Sequence, residues 1–261
     1  MSKPKIVVAG DIHGRPDILY EILLSLSPGD TLIIVGDFGK GFFWAYCDEE
    51  KYLDYISSMD ITIIFVDGNH ENFTDLNSLP VVKWCGARVH MLRHNIIHVL
   101  RGEVLEIEGM KIFMFGGGYS IDRAMRTEGV DWWPEEMISD ADVENAEHNL
   151  NKCGRVVDCC ITHSAPINTV RLLAQRFSHI KGDVIEEQKL TNYLQWVAES
   201  VSYDKWFFGH FHQDAAESEL WPGQFALINN VRDLESGEVV YTRTRIHNSP
   251  DRIVYIKDEW I

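Results

Sequence analysis

An α/β fold with two sheets is the class the sequence predicts, and three features predict it. Short, nearly unbroken apolar runs, "KIVVAG" (5–10), "TLIIVG" (31–36) and "ITIIFVDG" (61–68), read as strands buried on both faces. Helix-like segments separate them, so strands and helices alternate as in a sheet covered by helices. From residue 95 the pattern changes to consecutive strands with tight turns, "NIIHVLRGEVLEIEGMKIFMFGGG" (95–118), which predicts antiparallel pairs. No repeat, low-complexity tract or Pro/Gly/Ser linker divides the chain, so residues 1–261 are expected to form one domain with a substantial core.

The elements follow in order. "RPDILYEILLSLS" (15–27) predicts a helix, with Pro16 suited to its first turn. "CDEEKYLDYISSM" (47–59) predicts an amphipathic helix. Residues 119–137 are irregular and Trp-rich. "SDADVENAEHNLNKCG" (139–154) predicts a helix with Ser139 as its N-cap. "RVVDCCITH" (155–163) and "KWFFGH" (205–210) read as strands, with "TNYLQWVAESV" (191–201) as a helix between them. "FALINN", "EVVYTRTRI" and "RIVYIKD" are expected to close the chain as β structure.

Composition narrows the partners. The net charge of −16 disfavours non-specific nucleic-acid binding, which needs Lys and Arg to displace counterions, and it repels anionic membranes. No apolar run is long enough to span a bilayer, and Asp11 and His13 interrupt any signal-peptide pattern. The five cysteines are odd in number and form no CxxC; Cys159 and Cys160 lie in an apolar run and read as small packed hydrophobes. A reducing, cytoplasmic location is therefore expected.

One event recurs along the chain: strand after strand ends in a metal-competent residue. The first gives Gly10-Asp11-Ile12-His13, the second Gly36-Asp37, the third Gly68-Asn69-His70-Glu71, a later one Thr162-His163, and another Gly209-His210-Phe211-His212. In open α/β sheets the carboxyl ends of strands form the ligand crevice. Taken singly, a Gly-Asp pair reads as a turn, Asn69 as a turn residue and His163 as a packed histidine. Together, Asp11, His13, Asp37, Asn69, His163, His210 and His212 exceed what one ion needs and suit two ions about 3.5–4 Å apart, bridged by one carboxylate. The nitrogen-rich set favours Mn, Fe, Zn or Ni over Mg and Ca.

The ordered set "GDIHGR", "GDFGKG", "GNHENF", "THSAP" and "GHFH" resembles the calcineurin-like metallophosphoesterase superfamily, and bacterial or phage-borne members in particular. The resemblance runs from residue 10 to 212. It implies a four-layer α/β/β/α sandwich of two mixed sheets with a dimetal site at the strand ends. It implies that Asp11, His13 and His212 hold one divalent ion, most simply Mn2+, that Asn69, His163 and His210 hold the other, and that Asp37 bridges. Two residues apart in an extended segment, His210 and His212 would share a face. The resemblance gives His70 the part of general acid. The implied reaction is hydrolysis of a phosphomonoester or phosphodiester by direct attack of a metal-bridging hydroxide, without a phosphoenzyme. Ser/Thr protein phosphatases of the superfamily carry GDxVDRG where this chain has "GDFGKG", which argues against that substrate class.

Candidate substrate contacts are Lys40, Arg123 and Arg126. Lys40 either replaces the missing phosphate-gripping arginine or is a solvated turn lysine. Arg123 and Arg126 either bind a second group of the substrate or pair with Asp122, Glu128 or Asp131. Trp132 and Trp133 either stack on a substrate ring or pack the core. Arg15 and Glu71 flank ligands and are candidates for supporting hydrogen bonds. The partner is expected to be a small phosphorylated substrate, a nucleotide among the candidates. A nuclease or cyclic-nucleotide phosphodiesterase is the alternative enzyme, and a non-catalytic metal-bound scaffold or sensor is the alternative of a different class.

Overall fold

A computed structural model describes residues 4–243. The chain runs β1 (Ile6–Ala9), α1 (Pro16–Leu24), β2 (Thr31–Ile34), α2 (Glu49–Ser58), β3 (Thr62–Phe65), α3 (Phe73–Ser78), β4 (Val81–Trp84), β5 (Ala87–Arg93) and β6 (Ile96–Val99). It continues through β7 (Glu103–Ile107), β8 (Met110–Phe115), α4 (Asp140–Lys152), β9 (Cys159–Thr162), α5 (Ile167–Arg176), α6 (Gln188–Ser200), β10 (Lys205–Phe208), β11 (Gln224–Ala226), β12 (Asn230–Asp233) and β13 (Val239–Thr242). The larger sheet has the order β13-β12-β1-β2-β3-β6-β5-β4 and the smaller β11-β10-β9-β8-β7. Both are mixed: β1, β2, β3 and β6 run parallel, as do β8, β9, β10 and β11, with antiparallel strands outside them.

The two-residue period of the strands explains the layering. Along β1 and β2, Val7, Ala9, Leu32 and Ile34 pack with Leu19, Ile22, Leu53 and Ile56 of α1 and α2. Their neighbours Ile6, Val8 and Ile33 point the other way, into a layer shared with Ile112, Met114, Ile161 and Phe207 of the second sheet. Phe113, Phe115, Trp206 and Phe208 then face Leu150, Leu173, Leu194 and Val197 of α4, α5 and α6. Helix, sheet, sheet, helix is the result. No helix of the described residues is long and apolar enough to cross a membrane. The described cysteines are free thiols, and Cys159 and Cys160 are buried among apolar groups.

Local chemistry sets the helix ends. Pro16 opens α1, and Asp48 caps α2 by accepting from Lys51 N at 3.2 Å. Ser139 and Asp142 form a capping box at the start of α4.

The structure departs from the sequence reading at residues 95–118 and adds elements to it. Residues 95–118 do not form one run of paired strands: β6 lies in the larger sheet between β3 and β5, whereas β7 pairs with β8 in the smaller one. The turn at Leu100–Gly102 carries the chain from one sheet to the other. The β4–β5 hairpin and helices α3 and α5 were not anticipated. "RIVYIKD" and the end of "EVVYTRTRI" lie outside the described residues.

A buried ion pair secures the loop that follows β3. Asp67, 2% exposed, accepts from Arg101 Nε at 2.9 Å. Arg101 also donates to the carbonyls of Glu135 and Met137, at 2.8 and 3.0 Å, and so ties the 119–137 segment to this loop. Burial pushes the Asp67 carboxyl up, but Arg101 and His98 outweigh it and hold it well below the usual carboxylate range. Arg101→Ala strands this charge, and urea unfolding should register a loss of about 3–5 kcal/mol. Because the folded-state value is depressed, this stabilisation is complete above the ordinary carboxylate pKa of about 3.9 and is lost as pH falls below it. In the variant, that acid-side dependence should flatten.

Candidate functional site

The parallel strands β1, β2, β3, β9 and β10 end on the same side, so their following residues converge there. Hydrogen bonds lock the strand ends to one another. Ile12 N and His13 N donate to Asp37 O at 2.9 and 2.7 Å, and Gly209 N donates to His163 O at 3.0 Å. His70 N donates to Asp37 Oδ1 at 2.8 Å, and His210 N to Asp11 Oδ2 at 3.0 Å. Glycine is required where these strands close up. A Cβ at Gly68 would collide with Asp37 Oδ1, and one at Gly209 with Asp11 Oδ1.

His13, Asp37, His210 and His212 all have positive φ, between 50° and 67°. Left-handed backbone at bulky residues is costly and persists where the surroundings over-determine it. It also corrects the expectation of an extended segment at 209–212: a turn, not strand alternation, directs the two histidines.

All seven ligand-type side chains gather here. Asp11, His13 and His212 each bring a ligand atom within 4.8 Å of the others, and so do His13, Asp37 and His70. His13 Nε2 faces His212 Nε2 at 3.2 Å, and Asp11 Oδ2 lies 3.8 and 3.7 Å from them. On the deeper side His163, fully buried, donates Nδ1–H to Val35 O at 2.9 Å. In the neutral ring, Nε2 then carries a lone pair. That lone pair faces Asn69 Oδ1 at 3.2 Å and Asp37 Oδ1 at 3.5 Å. The Asn69 amide cannot relieve the conflict, because its Nδ2 is committed to Ser120 Oγ at 3.1 Å. Acceptors aimed at acceptors in a buried site fit a cation among them. The mixed nitrogen and oxygen donors suit a transition-metal divalent ion.

Titration follows the same charge pattern. Burial pushes the Asp37 carboxyl up, yet His163, His70 and His13 around it hold it far below the carboxylate range. Burial, with His13 and Arg126 alongside, pulls His70 down to about 4 against the opposing pull of Asp37. Burial alone would lower His210, but Glu187, Asp37 and Asp11 carry it up to about 9.

The sequence profile of the calcineurin-like phosphoesterases matches residues 4–214, most of the chain and every strand-end motif. The chain belongs to the calcineurin-like phosphoesterase family. Membership implies hydrolysis of phosphoric esters, and the family typically binds two divalent metal ions. A solved crystal structure aligns over 90% of this phosphoesterase and 96% of its own length, at 12% identity and a TM-score of 0.52, a likeness of fold. The phosphopantetheinyl hydrolase PptH of Mycobacterium tuberculosis aligns at 16% identity over 86% of this chain and 88% of its own, with a TM-score of 0.45. The NAD nucleotidase NadN of Haemophilus influenzae aligns at 13% identity over 92% of this chain and 49% of its own, with a TM-score of 0.38. Comparison with curated protein sequences gives no match.

The other candidate residues of this phosphoesterase fall in different places. A cavity of about 310 Å³ opens over the cluster, lined by Asp37, Asn69, His70, His210 and His212 and by Arg126 from the irregular segment. Arg126 lies along the His70 ring, with Nη1 3.2 Å from Nδ1, and its Nε and Nη2 grip Asp122 at 2.8 Å each. Arg123 sits instead over the rings of Tyr119 and Trp132, at 4.5 and 5.4 Å. Lys40 is outside the cavity lining, paired with Glu49 and Glu50. Trp133 is buried and donates to Thr74 Oγ1 at 2.9 Å. Arg15 pairs with Asp17, and buried Glu71 accepts from Gly39 N and Lys40 N.

Two carboxylates at the cluster escaped the sequence reading. Glu187, 4% exposed, lies 3.3 Å from His210 Nε2 and accepts from Ser164 Oγ at 2.7 Å. Glu136, fully buried, accepts from Ser120 N and Oγ at 3.0 and 2.7 Å, and so orients the hydroxyl that holds Asn69.

Proposed function

We propose that this chain is a dinuclear metal-dependent hydrolase of small phosphomonoesters or phosphodiesters, with residues 1–261 acting as one domain in the cytoplasm. The observation that carries the proposal is the convergence of ligand-type atoms in the buried site: Asn69 Oδ1 and Asp37 Oδ1 lie 3.2 and 3.5 Å from Nε2 of His163, whose ring already donates through Nδ1 to Val35 O. Asp11, His13 and His212 would hold one ion and Asn69, His163 and His210 the other, with Asp37 between them. Mn2+ is the first choice of metal, with Fe, Zn or Ni as alternatives. When bound, two such ions lower the pKa of a water and offset the charge of the phosphoryl group.

The chain's own residues do the rest. A carboxylate beside His210 Nε2 requires a proton there, so Glu187 would fix the tautomer that leaves Nδ1 free to ligate. The chain from Asn69 Nδ2 through Ser120 Oγ to Glu136 would hold the amide with Oδ1 turned into the cluster. His70 is neutral at pH 7 and would donate an N–H to the oxygen that leaves phosphorus. Turnover of aryl phosphates together with two Mn2+ bound per chain tests the reading. Fewer than two ions at saturation, or no hydrolysis of any ester by the loaded protein, sinks it.

The sequence left Arg126 either on the substrate or paired with Asp122, Glu128 or Asp131. Its fork is closed by Asp122, which favours a part in holding His70 instead. Arg126→Ala should then lower kcat about ten- to hundredfold with KM little changed, the scale of a misplaced catalytic group. The deficit should shrink for p-nitrophenyl esters, whose departing oxygen needs little help. A rise in KM alone would return Arg126 to the substrate.

A further inference from the structure

The cavity contains more than the ligand cluster. Its carboxylates are Asp37, Asp122 and Glu187, and its lysines and arginines are Arg126 and Lys181. Arg126 is saturated by Asp122 and by Asp131 O at 3.0 Å. Lys181 is exposed at the rim. Among the described residues lining the cavity, none presents an unpaired guanidinium to a phosphate. Of the remaining lining, Ser120 is engaged by Asn69 and Glu136 and His179 lies 3.1 Å from Gln213 Nε2, and the other side chains, Tyr119, Ile121, Ile180, Val184 and Phe211, form an apolar wall. Ile121 is 59% exposed, an apolar side chain left open at the cavity mouth.

A phosphomonoester dianion has three unesterified oxygens. Two divalent ions serve at most the charge gathered on the side facing them, and the remaining charged oxygen needs a donor. Against an apolar wall it loses solvation without recompense. A diester carries one charge fewer, and an alcohol group occupies that third position. If the group is apolar, its burial against the same wall is favourable. The cavity volume of about 310 Å³ lies at the small end for ligand pockets and limits the group's size.

We infer that this protein is a phosphodiesterase for small diesters whose second, non-leaving alcohol is apolar, and that it discriminates against monoesters. The inference rests on the hydrolytic reading given above. Water supplies the oxygen that joins phosphorus, one P–O ester bond breaks, and the departing alcohol takes up the proton. The second ester bond survives, so the products are one alcohol and one monoester, and the monoester accumulates.

Three esters with one leaving group test it on the Mn2+-loaded full chain: phenyl p-nitrophenyl phosphate, methyl p-nitrophenyl phosphate and p-nitrophenyl phosphate. The expected kcat/KM order is phenyl, then methyl, then the monoester. The phenyl ester should lead the methyl ester by about ten- to hundredfold, the discrimination an apolar pocket gives to a small apolar group. Ile121→Ser should narrow the phenyl-to-methyl ratio, and Ile121→Lys should shift preference toward the monoester. A monoester rate equal to or above the phenyl rate overturns the inference while leaving the hydrolase reading intact. Absence of all turnover refutes the hydrolase reading, and calorimetry then still decides this one. Diphenyl phosphate should bind the metal-loaded protein about tenfold tighter than phenyl phosphate, and the reverse order overturns the inference.

Discussion

Asp37→Asn is expected to abolish binding of the second divalent ion and to cut turnover by about three orders of magnitude or more, since several kcal/mol of charge stabilisation disappear at about 1.4 kcal/mol per decade. Asp37 is 1% exposed, with Oδ1 3.5 Å from His163 Nε2 and Oδ2 3.4 Å from His13 Nδ1. Each carboxylate oxygen thus faces a histidine from a different half of the proposed site. Asparagine keeps the shape but replaces one of these oxygens with an NH2, a donor that cannot ligate. The remaining oxygen can still accept from His70 N, so the loop after β3 should stay in place and the variant should melt cooperatively. Metal analysis of the purified variant, with calorimetric titration of Mn2+, reads the effect directly. Two ions bound at wild-type affinity would remove Asp37 from between them.

His70→Ala should retain both ions and lose about 10²–10⁴ in rate on esters with poor leaving groups, the usual scale of acid catalysis. His70 lines the cavity, and its ring stands between the edge of His13, 4.8 Å away, and the Arg126 guanidinium. With its value down at about 4, the ring is neutral through the physiological range. The wild-type rate should therefore show no loss of an imidazolium between pH 6 and 8 that disappears in the variant. The deficit should approach unity for p-nitrophenyl esters. Equal deficits for good and poor leaving groups would exclude the leaving-group role. Loss of an ion would instead make His70 a ligand, as its grouping with His13 and Asp37 allows.

The sequence could be read for much of this because its main signals are local. An apolar run of four residues predicts a buried strand, and a metal-competent side chain just after it predicts a strand-end ligand wherever the strands run parallel. β1, β2, β3, β9 and β10 all satisfy that condition, and the seven ligand-type residues meet at one end of the two sheets. Capping at Ser139 and the proline start at Pro16 are equally local. Helix α5 was less legible: its buried stripe of Ile167, Thr169, Val170 and Leu173 is short, and no side chain caps its start.

Other features depend on which distant segments meet, and no short-range period encodes that. Residues 95–118 contain strong strand signals, yet only the packing of two sheets decides that β6 joins one and β7 the other. Lys40 looked available in its turn, but Glu49 at the start of α2 reaches it. Arg126 has Asp122 four residues away, a pairing visible in the sequence, but its contact with His70 joins positions 56 residues apart. Glu187 and Glu136 belong to no strand-end pattern. They reach the cluster because the start of α6 and the turn before α4 are packed over the second sheet, where His210 and Ser120 await a partner. The sequence by itself determined which strand ends carry ligand-type residues, since a buried strand and its terminal side chain are written within a few positions. Only the tertiary structure decided which buried carboxylates support them and which cations are already paired, since desolvated charges settle with whatever partner the packing brings within reach.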